Sequence, residues 1–153
     1  MNPNPYGSSA VGTSRAGVFH VDSLAAGIER IIGVALGVNV NQTSTDIPTT
    51  LLLLPGSNFE VTRLSANNAS ISLTTATAGL FTAAAGGGTA LASDQALSAL
   101  TAATKNLNLT MAAGAAANIW NQVTQVNLLF LRVGTAQGAA ATCDFYIWGK
   151  VLP

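Results

Sequence analysis

Charge is what this 153-residue chain has least of. Six basic and six acidic residues make up 8% of it and cancel to zero formal net charge. That is about a third of the ~25% usual in soluble domains. Such neutrality gives no electrostatic footprint for DNA, RNA or an anionic membrane. Cysteine is as scarce: Cys143 stands alone, which excludes a disulfide scaffold within one chain. One histidine, His20, with scattered acids cannot readily supply the three or four ligands of a transition-metal site. The chain has no Gly-x-Ser-x-Gly elbow, and Met1–Gly17 lacks the basic-then-apolar pattern of a signal peptide. Apolar runs such as Ile31–Leu36 and Leu51–Leu54 fall far short of the ~18 residues a membrane span needs.

Small side chains fill the space that charge leaves. Ala, Gly, Ser and Thr account for 70 of the 153 residues, and 49% of the chain is hydrophobic. This hydrophobicity argues against disorder for most of the chain. The length suits one domain, burying roughly two-thirds of its unfolded surface. A lone domain so poor in charge tends to associate. Copies of itself, or a partner, are therefore expected to cover much of its surface.

Periodicity organises the chain into an expected arm (1–35) and an expected β domain (36–153). Pro3, Pro5 and the Gly/Ser spacing make residues 1–17 extended. Residues 22–35 fit a short helix, capped by Asp22 or Ser23 with Leu24, Ile28, Ile31 and Ala35 at helical spacing. A strand over Ile31–Val40 competes with it. Val38 and Val40 open a period of two. Thr49–Leu54 is β-capable and stops at Pro55-Gly56. In Phe59–Leu64 the parity switches after Arg63, which calls for a bulge or a two-sided strand. Asn67-Asn68 reads as a turn and Ala69–Leu73 as a strand. Ala78–Thr82 and Thr89–Ala92 flank Gly86-Gly87-Gly88, a hairpin tip rather than a phosphate loop, because no Lys and helix follow. Ser93–Thr104 suits one or two helical turns. Leu107, Leu109 and Met111 alternate, and Ala112–Asn121 is an Ala-rich loop. Gln125–Val133 reads as a strand buried on both faces, and Gly134–Thr142 as a turn. The last strand puts Cys143, Phe145, Ile147 and Val151 on one face, and Asp144, Tyr146, Trp148 and Lys150 on the other. Eight to ten short strands without regular β–helix alternation predict an all-β sandwich or jelly roll, with an extended N-terminal arm and at most one or two short helices.

The residues that could do chemistry are few. His20 and Asp22 share one face of an extended segment, as a base and its orienter would, but no nucleophile accompanies them. The carboxylates Asp22, Glu29, Asp46, Glu60, Asp94 and Asp144 sit in no local motif of paired acids. Cys143, opening a strand on its apolar face, is expected to be a buried, inert thiol. The candidate interaction surface is aromatic: Tyr146, Trp148, Trp120, Tyr6 and Phe19. No cofactor, catalytic residue or metal ligand is assigned.

Two segments, Phe59–Leu91 and Leu129–Leu152, resemble small structural proteins of tailed bacteriophages in pattern and composition. The resemblance spans roughly residues 36–153 and points to head decoration, or cement, proteins. It implies a jelly-roll-like fold, a homotrimer, binding to the major capsid protein on the capsid exterior, and synthesis in the host cytoplasm. It offers no site residues to carry over. Nucleic acid and membrane are not among the expected partners. A second reading is a fibre or spike head, or a carbohydrate-binding module, stacking sugars on Tyr146, Trp148 and Trp120. A third is an enzyme built on His20 and the carboxylates.

Overall fold

The computed structural model describes residues 27–101, 105–115, 118–122 and 128–152. The described residues form ten strands: β1 (Arg30–Asn39), β2 (Ser44–Pro48), β3 (Thr50–Leu51), β4 (Asn58–Asn67), β5 (Thr77–Phe81), β6 (Ala90–Ala96), β7 (Asn106–Leu109), β8 (Trp120–Asn121), β9 (Phe130–Thr135) and β10 (Thr142–Leu152). They pair antiparallel in two sheets. The wide sheet runs β3-β1-β10-β4-β7, with β8 also on β4; the narrow sheet runs β2-β9-β5-β6. Strands thus pair from the outside of the chain inward: β1 with β10, β2 with β9, β4 with β7, β5 with β6. This is jelly-roll winding, in which alternate hairpin-like pairs fall into opposite sheets of one sandwich.

The sandwich holds together through one apolar layer between the sheets. Phe59, Leu64, Phe145 and Ile147 from the wide sheet are fully buried with Leu80, Leu91 and Leu131 from the narrow one. Burying each such side chain is worth about 1.5–3 kcal/mol. β10 shows the reason for the fold most directly, because its buried and half-buried residues alternate along nearly its whole length. In β4 the parity does switch. Thr62 is extra between Val61, opposite Gly149, and Arg63, opposite Trp148. This bulge lets both Val61 and Leu64 face inward. Gly149 lies where the bulged backbone closes in. A Cβ there would collide with the Glu60 carbonyl and lie 2.5 Å from Ile32 Cδ1.

Several local expectations are corrected. Residues 30–35 are strand, not helix, so the boundary drawn at 35/36 falls inside β1. Gly27 is at φ +77° and Gly33 packs under Leu51 and Ile147, while Ile31, Ile32 and Val34 are β-branched residues suited to a sheet. Residues 22–26 lie outside the described set. Ser93-Asp94 does not start a helix; both belong to β6, and Leu97–Leu100 is a turn closed by the Leu100 N–H on the Leu97 carbonyl at 2.8 Å. Ala69–Leu73 is an irregular crossing between the sheets. Asn68, at φ 53°, turns the chain out of β4, and only Leu73 of that segment is fully buried. Only Thr50–Leu51 of the Thr49–Leu54 run is strand. β9 buries one face, with Leu131 and Val133 inward, while Phe130 and Arg132 are half-exposed and Leu128 is 38% exposed.

The crossing segment is anchored by a side chain that no sequence pattern marks. Gln137, 8% exposed, accepts hydrogen bonds at Oε1 from the backbone N–H groups of Thr74 (2.9 Å), Thr75 (3.2 Å) and Ala76 (3.3 Å). Its Nε2 donates to Thr74 Oγ1 at 3.0 Å. One amide thus satisfies three donors that the sheets cannot reach.

Candidate functional site

The outward face of the wide sheet carries the chemistry. Alternation along β10 sends Asp144, Tyr146, Trp148 and Lys150 to that face, all half-buried. Across the sheet Tyr146 is flanked by Val34 and Ser65, and Trp148 by Ile31 and Arg63. The indole is held in place from two sides. Its Nε1 donates to Ser65 Oγ at 3.0 Å, and the Arg63 guanidinium stacks over the ring at 4.1 Å from its centroid. Arg63 in turn reaches Glu29 Oε2 at 3.3 Å, and Thr62 Oγ1 donates to Glu29 Oε1 at 2.6 Å. Lys150 pairs with Glu60 at 3.1 Å across the next rung.

Beside the aromatic pair runs a short chain of amides. Asn67 Nδ2 donates to Ser65 Oγ at 3.2 Å, and Asn106 Nδ2 donates to Asn67 Oδ1. Asn68 Nδ2 donates to Asp144 Oδ2 at 3.0 Å; the Gly37 N–H donates to Asp144 Oδ1 at 2.7 Å. Together these residues enclose an open groove of about 400 Å³, with Tyr146 and Trp148 bordered by Ser65, Asn67, Asn68, Lys105 and Asn106, and by Ile31. That volume lies within the range of small-ligand sites.

The five aromatic candidates do not form one surface. Trp120 in β8 stands opposite Phe59, a fully buried residue, so its indole packs on the core side of the sheet. Its buried Nε1 has no hydrogen-bond partner among the described residues. Tyr6 and Phe19 lie outside the described residues, as do His20 and Asp22.

The described carboxylates have separate partners. Glu29 and Glu60 take the partners already named. Asp46 accepts from the Ala85 N–H. Asp94 lies 3.1 Å from Arg132 Nε, out of line for a directed hydrogen bond, so the contact is an ion pair. Among the described residues no three His, Cys, Asp or Glu side chains gather as metal ligands would. Cys143 is buried, as expected; its Sγ donates to the Asn67 carbonyl at 3.2 Å. Burial pushes its pKa up to about 12 despite that hydrogen bond, so the thiol stays protonated and unreactive.

No protein-family model, curated protein or solved structure matches the chain.

Proposed function

We propose that this protein is a non-enzymatic component of a virus particle, one that assembles as a trimer and clamps neighbouring subunits of the capsid. The observation that carries this reading is an apolar margin of the sandwich that no described residue covers. Ile28, Leu36, Leu52 and Leu54 are 61%, 62%, 52% and 50% exposed at and beside β1 and β3, the border of the wide sheet. Next to it, Val34, Leu36, Ile47 and Pro48 line a shallow groove of about 350 Å³ between β1 and β2. Large apolar side chains left in water at a sheet border are the usual mark of a protein contact. With zero net charge, copies of the chain have no repulsion to overcome when they meet there. Jelly-roll sandwiches serve in viral shells, which adds support by analogy of fold. Clamping needs no chemistry at all: weak contacts repeated around a trimer gain strength through effective concentration.

Light scattering of the full chain tests the assembly, and add-back to capsids purified without the protein tests the clamp. The expected results are a mass three times the 15.4 kDa of one chain, and saturable binding that raises the capsids' disruption temperature. A monomer that leaves such capsids bare overturns the reading.

A further inference from the structure

The groove over Tyr146 and Trp148 faces away from the core and shares no lining residue with the apolar groove between β1 and β2. We propose that it is a saccharide-binding site that seats a pyranose ring against these two aromatic side chains. Sugars ask for two things in one place: an apolar surface for the C–H face of the ring, and planar groups that donate and accept for its hydroxyls. The groove has both. Its amides are fixed before any ligand arrives by the run Trp148–Ser65–Asn67–Asn106, so little ordering remains to be lost on binding. Ser65, 1% exposed, already accepts two hydrogen bonds and holds the run in place. Among the described residues, the Tyr146 hydroxyl, the Lys105 ammonium, Asn68 Oδ1 and Asn106 Oδ1 have no hydrogen-bond partner and border the opening. They remain available to a ligand.

Other ligand classes fit less well. A nucleic acid or other polyanion needs several cations. Lys105 is the one lysine or arginine in the lining, and Asn68, beside it, already holds the Asp144 carboxylate. A purely apolar ligand would cover the amides and leave them without partners, at about 1–3 kcal/mol each. A neutral sugar avoids both costs.

The test uses the full chain with Trp120→Phe, which leaves Trp148 as the one indole reporter. Its fluorescence is titrated with maltotriose, cellotriose, chitotriose and mannotriose. At least one should give a saturable change. Tyr146→Ala should weaken that binding about tenfold or more, while Tyr146→Phe and Asn106→Ala weaken it about threefold, the worth of one neutral hydrogen bond. The two milder variants carry the test should Tyr146→Ala fail to fold. Flat titrations with all four sugars overturn the proposal. So does binding that Asn106→Ala and Tyr146→Phe leave untouched at unchanged melting temperature. Capsid binding is measured separately, so either proposal can fail without the other.

Discussion

The outward faces of the two sheets share an arginine over an aromatic ring, Arg63 on Trp148 and Arg132 near Phe81, and differ in what stands beside it. On the wide sheet the outward side chains are long, and they tie to one another: Arg63 on Trp148, Lys150 on Glu60, Asn106 on Asn67. On the narrow sheet the outward positions include Gly79 and Gly134, and the Asp94 carboxylate lies flat over both, with Arg132 beside it. One face leaves a groove between tall side chains; the other fills its own hollows with a single acid. The proposed saccharide groove therefore depends on side chains that stand up and whose ends are not all spent on each other.

Substitutions at two glycines, Gly149 on the core side of the wide sheet and Gly134 on the outward side of the narrow one, test how tightly each position is closed. Gly149→Val in the wide sheet should have the largest effect, a loss of about 3 kcal/mol, because the new side chain meets the Glu60 carbonyl, which is backbone and cannot swing aside. Chemical denaturation measures it, and a loss near zero would mean that the bulge shifts freely. Gln137→Ala follows at about 2 kcal/mol, since three backbone N–H groups lose their acceptor, that of Ala76 buried and those of Thr74 and Thr75 partly so. Hydrogen exchange at Thr74, Thr75 and Ala76 should speed up more than exchange in β10. Gly134→Ala, in the narrow sheet, should cost only about 1 kcal/mol, because the atom in the way is the tip of Asp94. What it forfeits is chiefly a half-exposed ion pair with Arg132. If Gly134→Ala proves as damaging as Gly149→Val, the Asp94 carboxylate is held as firmly over the narrow sheet as the Glu60 backbone is beside Gly149.

The smallest effect at neutral pH belongs to Cys143. Folding raises its pKa from 9.0 to about 12, so the folded state holds the thiol proton more tightly than the unfolded state does. That contribution is fully present below pH 9 and is lost progressively as pH rises from 9 towards 12. Stability measured across that interval should decline in the wild type and decline less in Cys143→Ala. A thiol reagent should label the native protein at pH 8 only as fast as it unfolds.

The all-β class, the hairpin around Gly86-Gly87-Gly88, the bulge in β4 and the two faces of β10 were legible because each rests on local alternation or turn chemistry. Residues 30–35 were harder. Their spacing satisfies a helix and a strand alike, and the choice is made by β10, more than a hundred residues away. Gln137 leaves no trace in sequence, because its role depends on where an irregular crossing passes. Part of the site was visible: period two put Tyr146 and Trp148 on one face. Trp120 could not be sorted from them, since two residues of strand in an Ala-rich loop carry no parity of their own. The amides at Asn67, Asn68 and Asn106 looked like turn and strand residues, and became one border only through the pairing of β4 with β7.

The order of the wide sheet has a consequence for how the protein is made. Its middle strand, β10, is the last of the ten to be synthesised, and it fills the gap between β1 and β4. While β10 is still inside the ribosome, β1 and β4 each expose an unpaired edge, and Phe59 and Leu64 have no Phe145 or Ile147 to meet. The nascent chain must be shielded or kept dilute until that final segment emerges, and then it closes in one late step.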